Sequence, residues 1–98
     1  MNRDDALAIL FENRVALRER GVVRAAVFGS TVRGDATPES DIDVLVDIDP
    51  TANIGVYEYV ALTRFLSELF PERVDVANHA TLKPHVRPSA ERDAVYAF

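Results

Sequence analysis

An α/β (α+β) fold, a small mixed β-sheet with helices on one face, follows from three features of the sequence. Two short apolar runs, Val22 to Phe28 and Asp41 to Ile48, are rich in β-branched residues, and the second alternates by residue. Two longer stretches, residues 3–20 and Ile54 to Phe70, carry apolar residues at helical spacing. The second of these is long enough to carry the chain to a parallel neighbour. The link between the two apolar runs is short and suits an antiparallel pair.

In chain order, residues 3–20 are expected to form a helix. Asp4 and Asp5 suit its positive N-terminal end, Leu7, Leu10, Phe11 and Leu17 form an apolar stripe, and Gly21 supplies a left-handed cap. Val22 to Phe28 is the first strand and ends at Gly29-Ser30. Residues 31–40 read as a short helix or turn and then a loop, with Gly34, Pro38 and Ser40 as breakers. Asp41 to Ile48 is the second strand, closed by Asp49-Pro50. Ile54 to Phe70 is the second long helix, with Tyr59, Leu62, Phe65, Leu66 and Leu69 along one side and Pro71 as its stop. Arg73 to Ala77 alternates as a third strand. Pro84 is placed to open a last helix, and Ala94 to Phe98 is apolar enough for a short final strand.

The chain has 98 residues, a length expected for one domain spanning 1–98, and 48% of it is hydrophobic. It contains no Cys, so disulfides, thiol nucleophiles and zinc–thiolate sites are excluded. The polar start, Met1-Asn2-Arg3-Asp4-Asp5, lacks the pattern of a secretory signal, and no apolar run approaches the roughly 20 residues that span a bilayer. A cytoplasmic protein without membrane association is expected. The net charge is −5, and its distribution is uneven. Asp35, Glu39, Asp41, Asp43, Asp47 and Asp49 crowd one segment, and no Lys or Arg occurs from Asp35 through Thr63. A concentrated acidic site that needs cations is expected, rather than a basic surface for nucleic acid.

On a strand, positions two apart share a face. Ile42, Val44, Val46 and Ile48 then line one face, and Asp41, Asp43 and Asp47 the other. Adjacent carboxylates repel unless a proton or cation sits between them, and Mg²⁺ or Mn²⁺ prefers such oxygen ligands. Exposed acids on a solvated face account for any single Asp. They account less well for a pair at the head of an apolar strand. Asp75, between Val74 and Val76, leaves its strand by the polar face; alone it reads as a surface acid, and beside Asp41 and Asp43 it makes a third ligand. Gly29-Ser30 ends a strand and starts a turn, where a glycine lets a phosphate approach backbone N–H groups and the Ser hydroxyl donates to it. In isolation, a plain turn with Ser30 as N-cap is the better explanation of the pair. Arg33, one turn on, is a candidate phosphate contact, and Lys83 a weaker one. His79 and His85 lack metal-ligand spacing to a partner.

Together, Gly29-Ser30, ten residues, Asp41-x-Asp43, an apolar strand and a later Asp75 resemble the nucleotidyltransferase superfamily of DNA polymerase β. With Arg33-Gly34 and Ser40 ahead of Asp41, the pattern is similar to the minimal nucleotidyltransferase (MNT) group. The resemblance runs from Val22 to at least Ala77 and implies the nucleotidyltransferase fold. MNT proteins are commonly antitoxins that transfer AMP from ATP onto a tyrosine of a HEPN-family toxin. Carried over, Gly29, Ser30 and Arg33 hold the triphosphate. Asp41 and Asp43 hold two Mg²⁺ ions, and Asp75 is the third catalytic, metal-binding carboxylate. A hetero-oligomer with the HEPN partner is implied. The alternative is a non-catalytic nucleotide- or metal-binding module that neutralises or assembles its partner by binding alone.

Overall fold

The structure is a computed structural model and describes residues 1–37 and 39–98; Pro38, one of the expected breakers, lies outside the described residues. The N-terminal helical segment is divided into α1 (Arg3–Glu12) and α2 (Arg14–Glu19) rather than running unbroken. The break falls at Asn13, whose side-chain Nδ2 donates to the Ile9 carbonyl at 2.8 Å. An Asn side chain competes for backbone partners in this way, which is why it interrupts a helix more readily than its polarity suggests. Asn2 starts α1 by accepting from the Asp5 N–H at 2.8 Å. Gly21 takes φ +96°, the positive-φ stop expected there.

Strand β1 (Val22–Phe28) leads into the single turn α3 (Ser30–Arg33), and β2 (Ile42–Ile48) follows. The two strands pair antiparallel, with Val27 opposite Val44 and Phe28 opposite Asp43. Helix α4 (Val56–Leu69) then carries the chain to β3 (Val74–Asn78), which pairs parallel to β2 with Asp43 beside Asp75. Both pairing senses are those expected. A 3₁₀ turn (His79–Thr81) follows β3, where the Asn78 side chain accepts from the Ala80 N–H at 3.1 Å.

The last helix, α5 (Arg87–Asp93), starts three residues later than Pro84. Pro88 stands in its first turn instead, a position where the missing N–H leaves no intrahelical bond unmade. Strand β4 (Val95–Tyr96) pairs antiparallel with β1, so the sheet order is β3-β2-β1-β4.

One face of this sheet holds the core. Leu10, Leu17, Val22, Val27, Val44, Val46, Leu62 and Leu66 are fully buried there, which places α1, α2 and α4 on that face as expected. At about 25 cal/mol per Å² of apolar surface, each such side chain contributes roughly 1.5–3 kcal/mol. The opposite face carries Asp43, Leu45 and Asp47. The short helix α5 adds a cover at its Asp47 end, through a His79–Glu91 contact described below.

Candidate functional site

The carboxylate face is built by register. Asp43 stands next to Asp75 across the parallel β2–β3 pair, and adjacent strands are roughly 4.8 Å apart. Phe28, the last residue of β1, faces Asp43 on the other side. The next residue, Gly29, has φ +75° and ψ −148°, a conformation that L side chains rarely adopt. A Cβ placed on Gly29 would also overlap the Asp43 Oδ2. Glycine is therefore required twice at this position. The backbone turn and the Asp43 carboxylate lie in direct contact because no side chain separates them.

Crowding shows in the acidity of Asp43. Its carboxyl is pushed up to about 6, chiefly by burial and then by the charges of Asp75 and Asp41, with Arg33 opposing. Asp41, at the entrance to β2, lies 3.5 Å from the Arg73 Nε, and its neighbour Ile42 donates to the Arg73 carbonyl at 2.8 Å. The three acids named from the sequence are thus brought to one end of one face. Among the described residues, no three acids or histidines already close around a metal-sized space. The donor set is nonetheless all carboxylate oxygen, with one member held against its preferred charge. This is the chemistry that a hard divalent cation relieves.

A hollow of about 370 Å³ opens beside these acids, lined by Phe28, Asp43, Tyr59, Asp75 and Lys83 among others. Larger hollows of about 460 and 470 Å³ lie by Gly21 and Asp49 and along the start of α4. Neither touches Asp43 or Asp75, so the acidic hollow, not the most voluminous one, is the candidate site. Tyr59 was legible in sequence only as part of an apolar helical stripe. It reaches the hollow, where burial and the Asp75 charge raise the pKa of its phenol. Lys83 enters from the segment before α5 and is the cation lining this hollow.

Ser30 opens α3 next to Gly29. Because α3 is a single turn, what it offers an anion is its leading N–H groups and the Ser30 hydroxyl; a macrodipole of any size needs a longer helix. Arg33 ends the same turn. Its Nη1 donates to the Asp93 Oδ2 at 2.8 Å and its Nε to the Asp35 Oδ2 at 3.3 Å. The predicted phosphate contact is therefore held by two carboxylates rather than extended into solvent. Asp47, on the same face as Asp43, is engaged elsewhere. His79 bridges it to α5, with Nδ1 2.7 Å from the Asp47 Oδ1 and Nε2 2.6 Å from the Glu91 Oε2. The hydrogen bonds to Glu91 and Asp47 raise the pKa of His79. No local spacing in the sequence signals this bridge, because its members come from three elements.

A three-acid face abutting a glycine turn, on a sheet with one antiparallel and one parallel neighbour to the acidic strand, defines a nucleotidyltransferase-type fold. The model of the nucleotidyltransferase domain family matches residues 11–97, and the chain belongs to that family. It is 37% identical over 90 residues to the protein adenylyltransferase MntA of Thermococcus cleftensis, covering 91% of this chain and 89% of that protein. A solved structure described as a minimal nucleotidyltransferase superposes with a TM-score of 0.76 at 31% identity, over 97% of this chain and 95% of its own. A tri-AMPylated Shewanella oneidensis HEPN toxin in complex with an MNT antitoxin includes a chain with the same fold. That match has a TM-score of 0.61 at 16% identity, over 91% of this chain and 70% of that one.

Proposed function

We propose that this chain, acting as a single minimal domain, transfers AMP from ATP to a tyrosine of a HEPN-type toxin and thereby neutralises it. The observation that carries the reading is the register that sets Asp43 against both Asp75 and the Gly29 turn. A triphosphate held by that turn would have its α-phosphate beside the acids. The adenylyltransferase relative and the fold shared with an antitoxin from a HEPN complex support the choice of reaction and acceptor.

In this reading Gly29 and Ser30 bind the triphosphate through backbone N–H groups and the Ser hydroxyl, and Arg33 adds a charged donor. Asp41 and Asp43 would hold two Mg²⁺ ions, and Asp75 would share one of them. When bound, Mg²⁺ supplies neutralisation of the triphosphate and acidifies the acceptor hydroxyl. Asp75 orients that hydroxyl and takes its proton. The tyrosine oxygen forms a bond to the α-phosphorus while the bond from that phosphorus to the bridging oxygen of pyrophosphate breaks in line. The reading includes a cytoplasmic site of action and a hetero-oligomer that supplies the acceptor.

The test is growth of cells expressing the partner toxin from the same operon with either this chain or its Asp43→Asn variant. Rescue by the unaltered chain and none by the variant is the expected result. Equal rescue by both would overturn the transferase reading in favour of neutralisation by binding alone.

A further inference from the structure

Arg33 and Asp93 are sixty residues apart, yet they form the shortest ion pair that α3 makes. The cause is β4. Val95 pairs with Val27 and Tyr96 with Ala26, antiparallel. Ala94 alone separates β4 from Asp93, the last residue of α5. The last strand therefore places the end of α5 alongside the glycine turn. Asp93 is held firmly there: its side chain is only 10% exposed, whereas that of Arg33 is 48% exposed. The hydrogen bond from Arg33, followed by the charge of Arg92 at 3.5 Å, holds the Asp93 carboxyl below the ordinary carboxylate range.

A guanidinium has five N–H donors in a rigid plane. Two of those of Arg33 are committed, Nη1 to Asp93 and Nε to Asp35. Among the described residues its other three have no partner. The two committed donors lie on different sides of the group, so the two carboxylates tether it from two directions. Arg33 is also close enough to Asp43 to oppose the upward shift of that carboxyl. A half-exposed arginine left to itself would sample many rotamers. This one is tethered by two carboxylates and keeps three donors unpaired among the described residues, with its charge felt at Asp43.

We infer that Asp93 is a positioning residue for nucleotide binding: from α5 it tethers Arg33 so that the donors left unpaired meet the triphosphate at the Gly29–Ser30 turn. The inference rests on the triphosphate reading proposed above. It makes the C-terminal helix and strand part of the nucleotide site, although neither lies in the Gly-Ser or Asp-x-Asp segments.

Affinity for a non-hydrolysable ATP analogue with Mg²⁺, measured by titration calorimetry, tests this. The proteins compared are the unaltered chain, Asp93→Asn, Asp93→Glu, Arg33→Gln and the Asp93→Asn/Arg33→Gln pair. Asp93→Asn and Arg33→Gln each weaken binding roughly five- to tenfold, the scale of one charge-assisted hydrogen bond. Asp93→Glu recovers part of the loss. The double variant binds no worse than Arg33→Gln, because Asp93 acts only through Arg33. Unchanged affinity in Asp93→Asn, or losses that multiply in the double variant, would overturn the inference while leaving the triphosphate reading in place. An unaltered chain that binds no analogue would overturn both.

Discussion

Burial and two neighbouring carboxylates disfavour the charged form of Asp43 in the folded chain. Its carboxyl titrates near 6, against about 3.8 ordinarily. A carboxyl raised on folding binds its proton more tightly in the native state. It therefore lowers stability above pH 6, and this penalty fades as the pH falls toward 4. Asp43→Asn should consequently stabilise the metal-free protein at pH 7–8, by about 1 kcal/mol once the half-exposed position is discounted for solvent screening. Below pH 4 the gain should vanish. Thermal melts of both proteins in chelator, from pH 4 to pH 8, measure it; a variant equally stable or weaker at pH 8 contradicts the account. A residue whose removal stabilises the fold is one retained for another purpose. Gly29 belongs to the same economy of space, since only a residue without a Cβ allows the turn to touch Asp43. Much of this was legible in the sequence. The alternation of β2 placed Asp41 and Asp43 on the polar face, and Val74 and Val76 turned Asp75 to match. The Asp93 partner of Arg33 was not legible, because the two lie sixty residues apart and meet only in the folded chain.

At the scale of elements, α5 is held to the carboxylate face by polar contacts as well as by the buried Ala90. His79 donates from both ring nitrogens when protonated, to Asp47 on β2 and to Glu91 on α5. Its pKa is raised by those bonds. The stabilisation is thus fully present below the unfolded value near 6.5 and is lost as the pH rises through the higher folded value. His79→Gln should destabilise the protein more at pH 6 than at pH 9, and amide exchange in α5 should speed up more at pH 6 than at pH 9. A destabilisation independent of pH would rule out the charged bridge. The helices taught a related lesson about what periodicity leaves out. The apolar stripe over residues 3–20 is real, and Leu10 and Leu17 are both buried, but the Asn13 side chain divides the segment. Pro84 was the expected helix opener, yet α5 starts at Arg87 with Pro88 in its first turn.

For the whole molecule, the sheet order β3-β2-β1-β4 explains why the acids gather at one end of one face. The parallel β2–β3 pair sets Asp75 beside Asp43, the antiparallel β1–β2 pair brings the Gly29 turn to them, and β4 adds Asp93 through Arg33. The expected layering, with α1, α2 and α4 behind the core face, leaves the acidic hollow open on the other side. The central claim is that this face transfers AMP to a protein, and the most direct measurement is intact mass of whatever protein co-purifies with this chain when it is co-expressed with its genomic neighbours. With ATP and Mg²⁺, the account predicts a partner heavier by AMP units when Asp41 and Asp43 are intact, and an unmodified partner with Asp43→Asn. A stable complex whose partner never gains mass, or gains it equally with Asp43→Asn, would contradict the claim.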